Sequence, residues 1–177
     1  GIRRRLQAMR ARGGQLWVVD PRRSETAELA DRHIFIRPGS DALLLAAVLH
    51  VINVEGLARP GGLAGFTDGL ARGAEIVAPF SPERVAPATG IDPKAIRELA
   101  RAFAGAERAA CYGRVGICTA RFGATAAWLT NVLNVVTGRL DARGGMMFTR
   151  PAPDLLALAA DPAQAPQSAP APAAVFE

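Results

Sequence analysis

Val18-Val19-Asp20-Pro21-Arg22-Arg23-Ser24-Glu25-Thr26-Ala27 and, a few residues on, Arg37-Pro38-Gly39-Ser40-Asp41 decide how this chain reads. The first segment closes a strand over 15–19, whose apolar and β-favouring residues suit a sheet interior. Pro21 cannot continue a ladder, so the strand stops there. Ser24 then caps a short helix over 25–30. The second segment closes another short strand, over 33–36, and opens a long apolar helix. Two strand ends thus bring Asp20 and Asp41, with basic and hydroxyl neighbours, to one edge of a sheet. In open α/β sheets ligands bind beyond the carboxyl ends of the strands. A carboxylate accepts two donors at once, as guanine or a ribose presents them. Arginine meets phosphate oxygens as a fork. The pattern suits a nucleotide.

Working outward, 2–12 reads as an amphipathic helix stopped by Gly13-Gly14. The helix that starts at Asp41 runs to about residue 55 and closes at Gly56. Its apolar residues are nearly continuous, so it is expected to be buried. Ser40 is its cap, with Pro38-Gly39 making the tight approach. Residues 59–65 read as a Gly-rich loop and 66–70 as a helical turn. Ser81-Pro82-Glu83 supplies the cap, the first-position proline and the first-turn acid of a helix that ends before Thr89-Gly90. Asp92-Pro93 opens another, to about residue 104, with Ile96, Leu99, Ala100 and Phe103 on one stripe. A strand over 108–112 leads into a loop over 113–123 with three glycines, then a helix over 124–137 ended by Gly138. Strands alternating with helices predict an α/β domain over 1–150, a Rossmann-like parallel sheet with helices on both faces. From 151 to 177 Pro, Ala and Gln dominate, which predicts a tail or linker with one helical turn over 155–159.

Composition narrows the classes. Half of the 177 residues are apolar and 21% are charged, as in a globular body. The net charge is +5, and Lys94 is the only lysine. Two readings of the arginines stand: a basic surface for phosphates, or an arginine-rich composition without function. Arg3-Arg4-Arg5, Arg10 and Arg12 invite a nucleic-acid reading, but no aromatics interleave and Leu6 and Met9 sit at helical spacing, so a solvated helix face is expected. The apolar run 42–54 is broken by His50 and Asn53 and falls short of the ~20 residues a membrane span takes. Cys111 and Cys118 make neither a disulfide framework nor a metal set, and His33 and His50 have no partners at ligand spacing. No nucleophile–base pair or paired carboxylates stand out. No catalytic and no metal-ligating residue is therefore assigned.

The quoted segments also carry a resemblance. Asp20-Pro21-Arg22-Arg23-Ser24-Glu25-Thr26-Ala27, Ala30-Asp31 and Arg37-Pro38-Gly39-Ser40-Asp41 are similar to the middle of molybdopterin oxidoreductases. These form the dimethyl-sulfoxide-reductase superfamily, which includes formate dehydrogenases and nitrate reductases. The likeness continues through Ser81-Pro82-Glu83-Arg84-Val85-Ala86, Thr89-Gly90 and Ile96-Arg97-Glu98-Leu99-Ala100-Arg101, then 113–123 and 133–145.

The resemblance implies a cofactor, bis(molybdopterin guanine dinucleotide) with molybdenum or tungsten. Asp20, Pro21, Arg22, Arg23 and Ser24 match positions that contact one guanosine diphosphate arm. Gly39, Ser40 and Asp41 match the tripeptide that reads guanine. Val115, Gly116 and Thr119 carry over as cofactor contacts from the glycine-rich turn. Relatives often have Gln or Asn near Thr119 followed by His, where this chain has Thr119-Ala120. The resemblance further implies a larger parent enzyme that moves two electrons between a formate- or nitrate-like substrate and an iron–sulfur cluster. The [4Fe-4S] motif, the relay Lys, the metal ligand (Cys, selenocysteine or Ser) and the closing C-terminal domain are expected outside these residues, so Cys118 is not read as the ligand. Expected partners are the rest of that enzyme and an electron-transfer subunit, with no nucleic acid and no membrane segment. The segment alone is expected to be inactive. Cytoplasm is the default compartment, and periplasm follows if an export signal precedes the segment. The competing readings are a stand-alone nucleotide-binding or interaction module, and an inactive truncated remnant. Asp20-Pro21-Arg22 lacks the glycines of G-x-G-x-x-G, which counts against a dinucleotide dehydrogenase.

Overall fold

A computed structural model describes residues 2–148. Contacts divide the chain into two units, Gly1–Met147 and Phe148–Glu177, and the first is the subject here. The expected tail over 151–177 and its helical turn over 155–159 lie outside the described residues. In chain order the elements are α1 (Ile2–Ala11), β1 (Trp17–Val19), α2 (Glu25–Glu28), β2 (Arg32–Ile34), α3 (Asp41–Val54), a 3-10 turn (Gly61–Gly65), α4 (Leu70–Val77), α5 (Pro82–Thr89), α6 (Pro93–Gly105), α7 (Val115–Cys118) and α8 (Gly123–Val136).

Helix α3 is the hub. Leu44, Leu45, Ala46, Ala47, Val48, Leu49, Val51 and Ile52 are all buried. A helix that is apolar on nearly every side must be covered on every side. Helices α4, α5, α6 and α8 supply that cover, and Val77, Val85, Ile96, Ala100, Leu129 and Leu133 complete one core. The local signals act as expected. Ser24 Oγ accepts from the Ala27 amide, Ser81 Oγ from the Arg84 amide, and Asp92 Oδ1 from the Lys94 amide at 2.7 Å. Gly90 ends α5 with φ +74°, a conformation that favours glycine.

The sheet is a parallel pair, with Trp17 opposite Arg32, Val18 opposite His33 and Val19 opposite Ile34. The protein is therefore mixed α/β, but among the described residues the sheet has two strands rather than the larger, helix-covered sheet expected. Both strands are also shorter than the expected 15–19 and 33–36. Asp31 anchors the pair to α1: its carboxylate accepts from Arg10 Nε at 2.9 Å, Arg10 Nη2 at 2.6 Å and the Leu16 amide at 2.7 Å. The Arg10 hydrogen bond, then the Leu16 amide, hold the Asp31 carboxyl below the usual carboxylate range. A carboxyl depressed in the fold adds stability above its unfolded titration and loses it as pH falls through the folded one. Asp31→Asn is therefore expected to flatten the fall in melting temperature between about pH 5 and pH 3. An unchanged pH profile in that variant would remove the role.

Three local expectations are corrected. Residues 108–112 are not a strand. The Cys111 amide donates to Asn134 Oδ1 at 3.0 Å and the Cys111 carbonyl accepts from Asn134 Nδ2 at 2.9 Å. A side-chain amide thus satisfies the groups a strand neighbour would have taken. The loop over 113–123 contains the one-turn helix α7, closed by the amides of Ile117 and Cys118 donating to the Arg114 carbonyl. The 59–70 stretch also differs: 61–65 is a 3-10 turn, 66–70 is not helical as a unit, and α4 begins at Leu70. Leu70 and Val77, seven residues apart, pack on the core, but Gly69 and Gly73 dilute the local helix signal.

Candidate functional site

At the carboxyl end of β1 the chain folds back on Asp20. Its carboxylate accepts from the Arg22 amide at 2.7 Å and from Ser24 Oγ at 3.4 Å. The Asp20 amide donates to the Ile34 carbonyl at 3.2 Å, and His33 Nε2 donates to the Asp20 carbonyl at 3.0 Å. Asp20 and Ser24 therefore shape the turn, while Pro21, Arg22 and Arg23 are exposed on it. His33 was not readable as part of this turn, because its partner is a backbone oxygen thirteen residues away with no side-chain signature.

Beyond β2, Ile36 enters the core and the Arg37 amide donates to the Thr89 carbonyl at 2.9 Å. Gly39 stands at φ +80°, with open space where a Cβ would be; the conformation, not crowding, favours glycine there. Ser40 occupies the cap position of α3 but does not cap it. Its hydroxyl donates backwards to the Arg37 carbonyl at 2.7 Å, and no side chain caps the helix. The Leu43 and Leu44 amides reach the Ser40 carbonyl, whereas those of Asp41 and Ala42 have no hydrogen bond among the described residues. Unsatisfied amides at the start of a long helix favour an anion. The half-buried Asp41 carboxylate likewise has no ion pair or hydrogen bond among the described residues, so its acceptor capacity is unused.

The third set is placed differently. Val115 is 66% exposed and Gly116 is exposed with open space around it. Thr119 Oγ1 donates to the Val115 carbonyl at 2.9 Å, so its hydroxyl hydrogen is spent within α7. A Cβ at Gly123 would strike the Cys118 carbonyl, which keeps α7 tight against α8. The bonds from Asp20 to Ile34 and from His33 to Asp20 tie the first set to β2, from which the chain leads on to the second set. Among the described residues no hydrogen bond or ion pair links the third set to either.

Many arginines are engaged within the fold. Arg10 pairs with Asp31, Arg32 with Glu98, Arg72 with Glu75, Arg97 with Glu83, and Arg101 with both oxygens of Glu55 at 2.8 Å. The Arg101 hydrogen bond is the main cause holding the Glu55 carboxyl below its ordinary range. Arg37 donates to the Pro87 carbonyl at the end of α5, and Arg59 to the Gly56 and Ala58 carbonyls beyond α3. Arg139 donates to the carbonyls of Ala104, Ala106 and Glu107 at the end of α6. The carboxylate pairs offset the arginine charge locally, and the bonds to carbonyls occupy N–H groups of Arg37, Arg59 and Arg139 at helix C-termini. The guanidiniums of Arg22 and Arg23 have no partner among the described residues. Arg3, Arg4, Arg5, Arg12, Arg84 and Arg143 share that property, but only Arg22 and Arg23 follow a strand end.

Two surface grooves avoid these residues. One, of about 580 Å3, is lined by Arg59, Gly61, Phe66, Arg139 and Asp141 among others; the other, of about 310 Å3, by Trp17, Arg32, Phe35, Asp92 and Glu98. Among the described residues no group of three His, Cys, Asp or Glu side chains can hold a metal ion, and no helix is long and apolar enough to cross a membrane.

No family profile matches the chain. Individual proteins do. The chain is 36% identical over 128 residues to formate dehydrogenase H of Escherichia coli (strain K12), covering 72% of this chain and 18% of that protein. It is 30% identical over 143 residues to the F420-dependent formate dehydrogenase subunit alpha of Methanocaldococcus jannaschii, covering 81% of this chain and 21% of that one. The solved structure of acetylene hydratase from Pelobacter acetylenicus superposes with a TM-score of 0.71 at 30% identity, over 75% of this chain and 18% of the enzyme. Nitrate reductases are further relatives. The chain spans about a fifth of the length of the proteins it matches. Enzymes named for dehydrogenation, reduction and hydration thus share one stretch. Over that stretch the homologues of this chain are members of the molybdopterin oxidoreductase family.

Proposed function

We propose that this segment holds one guanosine diphosphate arm of bis(molybdopterin guanine dinucleotide) inside a larger oxidoreductase. The observation that carries the reading is the concentration of unused groups at the carboxyl ends of two parallel strands. These are the guanidiniums of Arg22 and Arg23, the Asp41 carboxylate and the first amides of α3. They fit the cofactor's parts. Arg22 and Arg23 offset pyrophosphate charge. Asp41 accepts from the guanine N–H edge. Gly39 lets the backbone approach closely. Asp20 and Ser24 act through the turn they shape, and Pro21 stiffens it. Val115 and Gly116 offer an exposed surface to the pterin side, and Thr119 offers the lone pairs of its hydroxyl oxygen. When bound, the metal and its dithiolenes supply the two-electron chemistry, and the protein positions them.

The shared stretch among differently named enzymes supports a role in what those enzymes have in common rather than in substrate choice. In this reading β1 and β2 belong to a larger Rossmann-like parallel sheet that the rest of the parent enzyme completes, and 151–177 is a linker. The parent carries a [4Fe-4S] cluster and an electron-transfer partner, formate is its first substrate candidate and nitrate its second, and the segment alone does not turn over.

Asp41→Ala in the full polypeptide tests the guanine role. Loss of a charged hydrogen-bond acceptor costs about 1.5–3 kcal/mol, on the order of a ten- to hundredfold weaker hold. Molybdenum or tungsten per polypeptide and guanine nucleotide released on acid treatment are expected to fall together. Unchanged contents of both would remove Asp41 from the site.

A further inference from the structure

Asn134 is fully buried on α8, and both polar atoms of its side chain are engaged. Oδ1 accepts from the Cys111 amide, and Nδ2 donates to the Cys111 carbonyl and, at 2.8 Å, to the Thr130 carbonyl. Nδ2 also lies 3.5 Å from the Met146 sulfur. The opposite residue in an antiparallel ladder would offer Cys111 the same pair, one acceptor and one donor. Cys111 is the last residue so held before the turn over 113–119. The turn is tight at both ends: a Cβ at Gly113 would press on the Ile117 side chain, and one at Gly123 on the Cys118 carbonyl. With little slack inside it, the turn takes its position from its anchors.

We propose that Asn134 is a positioning residue: its amide stands in for an absent strand neighbour at Cys111 and so sets where the 115–119 turn meets the cofactor. The second half rests on the cofactor reading; the first does not. A bulky aliphatic side chain would have filled the core equally well, so the amide is there for its two-sided hydrogen bonding. The position cannot be read from sequence, because Asn134 and Cys111 are 23 residues apart.

The two cysteines supply the readout. Cys118 is exposed, whereas burial pushes the Cys111 thiol up to about 11, with the Thr130 hydroxyl pulling the other way. In the full polypeptide, N-ethylmaleimide followed by peptide mapping is expected to label Cys118 quickly and Cys111 slowly. In Asn134→Leu, Cys111 labelling is expected to rise about tenfold or more as the thiol gains solvent and thiolate character, with Cys118 little changed. Molybdenum or tungsten per polypeptide is expected to fall in the same variant. Thr137→Val is the control, since its buried hydroxyl donates only to carbonyls of its own helix. It is expected to lower the melting temperature without exposing Cys111. Asn134→Ala removes both polar groups without added bulk or charge; it replaces Asn134→Leu if that variant does not fold, with the same direction expected. Unchanged Cys111 labelling, or equal exposure in Thr137→Val, overturns the positioning role. Raised labelling with unchanged metal content overturns the link to the cofactor, and leaves Asp41→Ala as the separate test of the cofactor reading.

Discussion

Charge reversal of Arg22 and Arg23 together, to glutamate, is expected to leave the full polypeptide folded and strip it of its dinucleotide cofactor. Both side chains are exposed and neither has a partner among the described residues, so the fold loses no ion pair. The turn that carries them is held by Asp20 through backbone and hydroxyl donors, which the substitutions do not touch. A charge-assisted hydrogen bond contributes about 1.5–3 kcal/mol, and two lost together with new repulsion against a pyrophosphate amount to a loss on the order of a thousandfold. Metal and guanine nucleotide content should fall to background at unchanged circular dichroism, with a melting temperature equal to that of the cofactor-free parent. Arg84→Glu, at an exposed position of α5 whose side chain has no partner among the described residues, is expected to change none of these. Native cofactor content in the Arg22→Glu, Arg23→Glu variant would end the phosphate assignment.

The second large effect lies in the core. Ile52 has no exposed surface and sits on α3 where the neighbouring helices converge. Ile52→Ala leaves a cavity that a packed interior fills only in part, and such truncations cost about 2–5 kcal/mol. Against the ~5–15 kcal/mol a domain commands that is a large share, and at roughly 2–4 °C per kcal/mol it lowers the melting temperature by about 5–20 °C. Val54, two residues on and 72% exposed, gives the contrast: Val54→Ala is expected within about 0.5 kcal/mol of the parent. Equal losses at the two positions would show that α3 is not the centre of the core.

These effects rest on different kinds of information. The starts of α2, α5 and α6 were legible because Ser24, Ser81-Pro82 and Asp92-Pro93 act within four residues of themselves, whereas α2 stops at Glu28, short of the expected residue 30. The burial of α3 was legible because an apolar run without a polar face has nowhere else to go. The strand at 108–112 was misread for the complementary reason. A strand is defined by its neighbour, and the neighbour here is one amide from α8. Ser40 shows the same limit at short range: its position as cap was readable, but its hydroxyl had a choice of acceptors and took the Arg37 carbonyl.

The candidate site divides in the same way. Sequence alone determined that Asp20, Arg22, Arg23 and Asp41 follow two strand ends, because strand ends and helix starts are local events. It could not separate a phosphate-binding arginine from one that caps a helix, since all twenty are chemically alike. Only the tertiary structure decided which were spent. The partners of Arg10, Arg32, Arg97, Arg101 and Arg139 lie 14 to 66 residues away and are brought to hand by packing. What packing left unpaired at the strand ends is what remains available to a ligand.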